Sequence, residues 1–304
     1  LQCGAVFIYE RTRGGKWHYR TTIVSPTKQT NSQFGTSVIL RDDLLLIGAS
    51  KEHDGDLQES GAVYLFSMER DDPTSWRQLQ RITAFNAGTH DNFGTALALS
   101  EDRQRLVISA PLEDGLDDSS QDSGAVYLFE MSQENTFKTA GYIRPNDLEP
   151  GSRQGTSLAI GNTMLAIGAP NATRTIAPTQ EGQNERVFAS AGFVYLYTLS
   201  DQDGWSMVDK LYPEVHDAKD YFGTSLALVN DDRLLVGAPG EDSSDTGIHA
   251  DVYDQRANSA GAAYLFEIGP QGALAEPIFI KPGHTVASME FGYAVAMTPD
   301  MIAI

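Results

Sequence analysis

The stretch that decides the fold is residues 222–266, which contains three short signatures: Phe-Gly-Thr-Ser-Leu-Ala at 222–227, Leu-Leu-Val-Gly-Ala-Pro at 234–239 and Gly-Ala-Ala-Tyr-Leu-Phe at 261–266. The same signatures recur along the chain, and copies of the first lie 59 to 69 residues apart. These copies begin at Phe34, Phe93, Gln154, Phe222 and Phe291. A cassette with this period predicts a repeat architecture in which each copy forms one structural unit.

Each copy of the cassette predicts four β-strands. The residues after Phe-Gly are small or β-branched, which suits a strand in a tightly packed position. The second signature is a short continuous apolar run, typical of a strand covered on both faces, and the third alternates aromatic and aliphatic residues. A fourth, more polar segment, such as 76–82, fits an outer edge strand. Four strands with a buried middle pair predict the blade of a β-propeller.

The repeat runs through all 304 residues, so we predict a single all-β propeller domain. It contains four complete blades and two complementary half blades, the first with third and fourth strands and the last with first and second strands. The halves either join into one blade of a five-bladed ring or lie in an arc of a larger propeller. Because both ends fall inside the cassette, we expect a fragment of a longer protein. The blade pieces are 1–26, 34–84, 93–145, 154–213, 222–282 and 291–304.

The cassette resembles FG-GAP repeats, the units of the integrin α-subunit propeller and of many bacterial surface proteins. The resemblance covers nearly the whole chain and implies a propeller, seven-bladed in the integrin case, that works outside the cell as a binding surface. Integrin-type repeats that bind calcium carry an Asp-Xaa-Asp-Xaa-Asp-Gly-like loop between the first and second strands. Here those links are short turns, such as 41–43 and 161–162. We therefore expect the bacterial type of repeat, without the integrin calcium hairpins.

Acidic residues are concentrated on one side of the predicted blades. In a four-stranded up-and-down blade, the second-to-third loop and the link that enters the blade emerge on the same side, which we call the loop face. Its segments hold 23 acidic and seven basic residues, within a chain of net charge −19. Function on a propeller lies in loops held by a rigid scaffold, although acidic loops also keep a secreted protein soluble. The loops are 51–59, 112–122, 171–190 and 240–259, and the links are 27–33, 85–92, 146–153, 214–221 and 283–290.

The candidate binding residues are polar side chains of the loop face. Its negative field repels nucleic acid and anionic membranes and attracts basic groups. We therefore predict an unidentified protein or glycan ligand, no nucleic-acid partner and no direct insertion into a membrane. The candidates are His53, Asp54, Asp56, Asp91, Asp117, Asp118, Asp217, Asp245 and Asp251.

Two of the acidic loops are also candidates for Ca²⁺, which binds six to eight oxygen atoms, several of them from carboxylates on a bent loop. Their spacing matches no fixed motif, so solvated loops without metal are the preferred interpretation. No other cofactor is predicted. The candidate ligands are Glu113, Asp114, Asp117 and Asp118 in one loop, and Glu241, Asp242 and Asp245 in the other.

Catalytic motifs do not stand out in this sequence. It contains no nucleophile elbow, phosphate-binding loop or His-Glu-Xaa-Xaa-His motif. We predict a non-catalytic, adhesion-type binding module that is extracellular, on the cell surface or periplasmic. The alternatives are a purely structural propeller scaffold of a larger surface protein and the non-catalytic domain of a secreted hydrolase.

Overall fold

The computed structural model describes residues 3–69, 72–117, 119–178, 184–200, 202–213, 215 and 217–304. Within this part of the chain there are 22 strands, and the one helical segment is a 3-10 turn at Pro270–Gly272. No described helix is long and apolar enough to span a membrane. The chain divides into two compact units, Leu1–Leu99 with Arg103–Ile143, and Ser100–Asp102 with Arg144–Ile304.

The first unit contains one strand pair and two four-stranded sheets, in which neighbours in the chain pair antiparallel. The N-terminal pair is β1 (Ala5–Arg11) and β2 (Trp17–Val24). Sheet A is β3 (Phe34–Arg41), β4 (Leu44–Ala49), β5 (Ala62–Glu69) and β6 (Asp72–Ile82). Sheet B is β7 (Leu97–Leu99), β8 (Arg105–Ala110), β9 (Ala125–Met131) and β10 (Phe137–Ile143).

The second unit contains two further four-stranded sheets, a hairpin and a C-terminal pair. Sheet C is β11 (Ser157–Ile160), β12 (Met164–Ala169), β15 (Phe193–Ser200) and β16 (Gly204–Leu211). The hairpin between β12 and β15 is β13 (Arg174–Ile176) and β14 (Arg186–Phe188). Sheet D is β17 (Ser225–Val229), β18 (Arg233–Ala238), β19 (Ala262–Glu267) and β20 (Ile278–Ile280). The C-terminal pair is β21 (Ala296–Met297) and β22 (Ile302–Ala303).

These sheets confirm the all-β class and the predicted four-strand unit. Each sheet follows one copy of the cassette, and the terminal pairs contain the predicted half sets of strands. The β13–β14 hairpin was not predicted, because the segment 171–190 lacks the signatures of the cassette. The number of blades and the single-domain organisation stay predictions.

The core lies between the faces of neighbouring sheets. The second strands β4 and β12 are buried along their whole length, as their continuous apolar runs predict. Sheets A and B enclose one apolar cluster in the first unit, and sheets C and D enclose another in the second. Apart from a buried residue at the end of each, the fourth strands of sheets A, B and C are mostly exposed or partly exposed, as expected of outer strands.

Small residues of the first and second signatures allow neighbouring sheets to approach. In the first unit, the Ser37 hydroxyl of sheet A donates to the carbonyl oxygen of Gly94 at 2.7 Å. A side chain on Gly48, in the second signature of sheet A, would collide with that same carbonyl. Gly is therefore required at position 48 by close backbone approach.

In sheet B the serine is on the second strand instead of the first. Ala96 stands where sheet A has Ser37, and Ser109 stands where sheet A has Gly48. The Ser109 hydroxyl oxygen accepts a hydrogen bond from the Ala96 backbone N–H at 2.9 Å. One hydroxyl per sheet is thus retained, although it comes from the second strand and not from the first.

Candidate binding site

In sheets A, B and D the entering link and the second-to-third loop lie together at one end of the sheet. In sheet A, the Gln29 side chain exchanges two hydrogen bonds with the backbone of His53, at 2.8 and 3.0 Å. In sheet B, the Leu112 N–H donates to the Asp91 carbonyl oxygen at 3.4 Å. In sheet D, the Gly240 N–H donates to the Asp220 carbonyl oxygen at 3.1 Å. The two kinds of segment therefore form a common surface at each of these sheets.

The loops of sheets A, B and D are each closed by the same type of hydrogen bond. A side chain at the start of the loop accepts from a backbone N–H near its end, and each donor residue has a left-handed φ of 48 to 51°. Three of the predicted site residues are thus used to fix the loops. The acceptors His53 Nδ1, Asp114 Oδ1 and Asp242 Oδ1 bind the N–H groups of Glu59, Asp122 and Ser259 at 3.1, 2.7 and 2.7 Å.

One glutamate in each of these loops is turned inward. Glu52, Glu113 and Glu241 lie three residues after the alanine of the second signature, and they are 0 to 4% exposed. A buried carboxylate needs hydrogen-bond donors, since its desolvation is otherwise very unfavourable. Each of the three accepts hydrogen bonds from the entering link, from the loop or from the outer strands.

In sheet A the partners of Glu52 come from three parts of the repeat. The hydroxyl of Tyr64 on β5 donates at 2.8 Å, Arg81 Nε on β6 at 2.9 Å, and the Thr27 hydroxyl of the link at 3.0 Å. Burial and the neighbouring Glu52 carboxylate raise the pKa of Tyr64 to about 12. This cluster ties the loop and the link to the outer strands.

The partners of Glu113 and Glu241 differ, but the arrangement is the same. Glu113 accepts from Asn86 Nδ2 at 2.8 Å and from the Tyr142 hydroxyl at 2.9 Å. Glu241 accepts from Lys281 Nζ at 2.6 Å and from the Ser243 N–H at 3.0 Å. Burial raises the pKa of Glu241, while Lys281 opposes this shift. These carboxylates bind protein donors inside the fold.

Sheet C lacks the inward glutamate and receives its carboxylate from the link. Ala172 occupies the equivalent position and is buried. Asp147, in the link that enters sheet C, accepts from Lys210 Nζ on β16 at 2.7 Å. Burial, with Asp147 nearby, raises the pKa of Tyr195 on β15 above its ordinary range. The third-strand tyrosine of sheet C therefore also has a carboxylate nearby, but this carboxylate comes from the entering link and not from the second-to-third loop.

The predicted binding residues separate into inward-facing and outward-facing groups. Asp91 is buried and accepts from the Gly88 N–H at 2.6 Å. His53, Asp217 and Asp245 are partly exposed. Asp118, predicted both as a binding residue and as a metal ligand, lies outside the described residues. The exposed candidates are Asp54, Asp56, Asp117 and Asp251.

The two sets of Ca²⁺ candidates are largely engaged with protein donors. Asp245 accepts from the backbone N–H groups of Asp251 at 2.6 Å and of Thr246 at 2.8 Å, which hold its pKa below the usual range. Asp117 accepts from the Ser119 hydroxyl at 2.6 Å. Among the described residues, no group of three or more His, Cys, Asp or Glu side chains is arranged to hold a metal ion. These residues stay candidate Ca²⁺ ligands, and solvated loops without metal stay the preferred interpretation.

A cavity of about 290 Å³ opens on the loop face of the second unit, where sheet C, sheet D and the C-terminal pair meet. First-signature threonines and second-signature prolines form part of its wall. The cavity was not predicted from the sequence, because its walls come from three different repeats. Its further polar and aromatic lining includes Asn171, Tyr221, Ser259, Glu290 and Tyr293.

Comparison with protein families identifies the repeat. Residues 17–66, 76–129 and 205–266 match the model of the FG-GAP repeat, and together they make up more than half of the chain. The chain belongs to the FG-GAP repeat family. The resemblance inferred from the signatures is thereby confirmed, and the match gives no indication of catalysis.

This FG-GAP repeat chain is also similar to solved structures. A protein from Lactobacillus plantarum has a TM-score of 0.50 and 12% identity, with 94% of this chain and 67% of that chain covered. The periplasmic gluconolactonase of Pseudomonas aeruginosa has a TM-score of 0.36 and 11% identity, with 92% and 93% covered. A search of curated protein sequences gave no match.

One cavity residue departs from the FG-GAP pattern of this chain. In four repeats a threonine follows Phe-Gly or Gln-Gly, and its hydroxyl donates to the carbonyl oxygen three residues earlier at 2.6 to 2.7 Å. The fifth repeat has Tyr293 instead, whose side chain is 67% exposed. Tyr293 cannot form the turn-stabilising hydrogen bond of the threonine, and the loss of such a local structural role is an indicator of function.

Proposed function

We propose that this FG-GAP repeat chain is a binding module that recognises a protein or glycan ligand through its loop face, outside the cell, on its surface or in the periplasm. The observation that carries the proposal is the construction of that face. Its loops are fixed by internal hydrogen bonds, while Asp54, Asp117 and Asp251 remain exposed. Rigid loops lose little entropy on binding, and this favours recognition.

The proposed architecture is a β-propeller in which sheets A to D are blades and the terminal pairs are half blades. The blades form either a five-bladed ring or an arc of a seven-bladed propeller. Both alternatives place the loops of successive blades on one side. The acidic side chains of several repeats then act together on one ligand.

The charge of the loop face favours a ligand with basic or neutral recognition groups. With 23 acidic against seven basic residues, its segments carry most of the net charge of the chain. A surface of one sign accelerates association with partners of the opposite sign and repels partners of the same sign. Because surface charges are screened by ions, binding of a basic ligand should weaken as salt concentration rises.

The experiment is a binding screen with the immobilised chain against an array of glycans and against basic and acidic peptides. The test variant combines Asp54→Asn, Asp117→Asn and Asp251→Asn. The matched control combines Glu101→Gln, Glu130→Gln and Glu267→Gln, which removes the same charge from exposed residues at the other ends of the sheets. We expect a bound ligand whose affinity falls at least tenfold in the test variant only. Absence of any ligand, or equal loss in both variants, would favour the scaffold alternative.

A further inference from the structure

We propose that the 290 Å³ cavity of the second unit binds a neutral saccharide unit between Tyr221 and Tyr293. This inference rests on the proposed function, because it names the ligand class for one site on the same loop face. Both tyrosines line the cavity, and both occupy positions where local structure favours other residues. The sugar is recognised by its apolar ring faces and its hydroxyl groups.

Tyr293 is the first of these two departures. At the equivalent position Thr224 donates its hydroxyl to the Tyr221 carbonyl oxygen at 2.7 Å and so stabilises the turn that leads into its strand. Tyr293 has no hydroxyl near its backbone and keeps only the backbone bond from its own N–H to the Glu290 carbonyl oxygen, at 3.0 Å. Its side chain is 67% exposed and lines the cavity. An aromatic ring in this position offers a flat surface to the apolar face of a sugar ring.

Tyr221 is the second departure. Its φ of 54° is left-handed, a conformation that a bulky side chain rarely adopts. Backbone bonds hold it there, since the Tyr221 N–H donates to the Ser190 carbonyl oxygen at 3.1 Å. The left-handed φ, between 53 and 57°, occurs at this position in all five repeats, so it is a feature of the repeat, and the departure lies in the aromatic side chain. The residues at the same position of the other repeats are Gln33, Asn92, Arg153 and Glu290.

The remaining lining supplies hydrogen-bonding groups for sugar hydroxyls. Asn171 offers an amide, Ser259 a hydroxyl and Glu290 a carboxylate. An amide and a hydroxyl both donate and accept, and a carboxylate accepts, so the set matches a ligand rich in O–H groups. A mixed lining of aromatic rings and a few convergent polar groups is typical of small-molecule sites. The volume is small for such sites and suits one sugar ring.

The charge of the cavity selects neutral sugars. Its lining residues, all within the described part of the chain, include Glu290 and no Lys or Arg. An anionic sugar would find a carboxylate and no cation, and unpaired charge in a partly enclosed site is unfavourable. A peptide with a basic side chain is the competing occupant. The two tyrosine faces and the amide favour the sugar.

The test uses saturation-transfer NMR and titration calorimetry in 0.5 M NaCl, which screens the acidic loops. The probes are the methyl glycosides of glucose, galactose, mannose and N-acetylglucosamine, with methyl glucuronide as the anionic comparison and an Arg- and Lys-containing tetrapeptide. We expect at least one neutral glycoside to bind, and the glucuronide to bind at least fivefold more weakly. Tyr293→Thr and Tyr221→Asn, which insert the residues of other repeats, should each weaken glycoside binding at least tenfold and leave the melting temperature unchanged or higher.

A matched control is Tyr253→Thr, which removes an exposed tyrosine of the 240–259 loop outside the cavity lining and should keep glycoside binding. The inference is overturned if no neutral glycoside binds, if Tyr293→Thr retains full affinity, or if the tetrapeptide alone binds in a Tyr293-dependent way. A loop-face ligand that is lost on charge neutralisation would then leave the proposed function intact. Failure of both screens would overturn both proposals.

Discussion

The Ser225 hydroxyl donates to the carbonyl oxygen of Gly292 at 2.8 Å, and this bond joins sheet D to the C-terminal strand pair. A side chain added to Gly237 would collide with both groups. Ser157 and Gly223 form the same contact between sheets C and D at 2.6 Å. The repeated Phe-Gly-Thr-Ser and Gly-Ala-Pro signatures therefore record one physical requirement, the close approach of neighbouring backbones.

Gly237→Val should destabilise the second unit strongly. The added side chain has no free space, and overpacking a dense interior costs about 1–3 kcal/mol or more. The matched control is Gly283→Val, because a side chain at Gly283 meets no atom within 4 Å and its φ is not left-handed. Urea denaturation of both variants measures the effect. Equal stability of the two variants would show that the contact is not a packing constraint.

Glu241→Ala should be among the most destabilising loop substitutions. It leaves the buried Lys281 ammonium, among the described residues, with one hydrogen-bond acceptor, the Gly261 carbonyl oxygen at 2.7 Å. Removal of one partner from a buried pair costs about 3–5 kcal/mol, whereas an apolar replacement of both is much milder. The double variant Glu241→Ala with Lys281→Met should therefore recover part of the loss in a urea denaturation series.

The exposed carboxylate Asp251 provides the comparison. Asp251→Asn should change the free energy of unfolding by less than about 0.5 kcal/mol, since the residue is exposed and an amide oxygen can still accept the hydrogen bond that the Tyr253 N–H donates to Asp251 Oδ1 at 2.9 Å. If Glu241→Ala proved as harmless as Asp251→Asn, the inward glutamate would have no structural role. The predicted contrast also means that buried and exposed carboxylates of the same acidic loop have different roles.

Gln154→Phe should stabilise the protein. Gln154 replaces the phenylalanine of the first signature and is fully buried, and neither side-chain amide atom has a hydrogen-bond partner among the described residues. In sheet D the equivalent Phe222 packs edge-on against Tyr264, with ring centroids 5.3 Å apart. An unsatisfied buried polar group costs about 1–3 kcal/mol, so its replacement should raise the free energy of unfolding by about that amount.

Calorimetry or urea denaturation checks this gain. The control Gln58→Phe places the same ring at an exposed site and should bring no stabilisation. A neutral or destabilising Gln154→Phe would mean that the pocket at residue 154 has adapted to the smaller amide. Overpacking would then be the physical cause.

The strands were predictable from sequence, because each signature is a local pattern that repeats at known spacing. The roles of the carboxylates were not. Glu52 and Asp54 are two residues apart in the same acidic loop, yet one is buried against Tyr64 and Thr27 while the other is exposed. That difference depends on donors that lie 12 residues later and 25 residues earlier in the chain.

The cavity could not be predicted either, because it too is formed by residues that are distant in the sequence. Tyr221 and Tyr293 belong to different repeats and meet only in the folded second unit. A signal was nevertheless present in the sequence, since Tyr293 is the single departure from threonine among five equivalent positions. A departure from a repeated residue is informative once the structural role of that residue is known.

Calcium should have little effect on stability. Among the described candidates, Glu113 and Glu241 are turned inward and Asp245 accepts backbone hydrogen bonds, so most of these carboxylates already have protein donors. A site at hundredfold saturation would stabilise by about 2.7 kcal/mol and move the melting temperature by a few degrees. We expect a shift below about 3 °C between 5 mM CaCl₂ and excess EDTA, for the native chain and for Asp117→Asn alike. A fall of ten degrees on chelation would show that metal is structural.

Asp220 should make stability depend on pH. Burial raises its pKa to about 7, and the nearby carboxylates of Asp217, Glu241 and Asp242 add to this shift. Its Oδ2 accepts from the Asp217 N–H at 2.7 Å. Between about pH 4 and pH 7 the folded state therefore retains a proton that the unfolded state has lost. The contribution of Asp220 to the free energy of unfolding is therefore present in full below about pH 4 and is lost as the pH rises to about 7.

Asp220→Asn isolates that contribution, because an amide oxygen can accept the same hydrogen bond without a charge. Each pKa unit corresponds to about 1.4 kcal/mol, so the stability of the variant relative to the native chain should rise by up to about 4 kcal/mol between pH 4 and pH 8. Urea denaturation at one-unit pH intervals measures the difference, with the exposed Asp251→Asn as the control. A difference between Asp220→Asn and the native chain that stays constant over this range would mean that Asp220 is already ionised in the folded protein at pH 4.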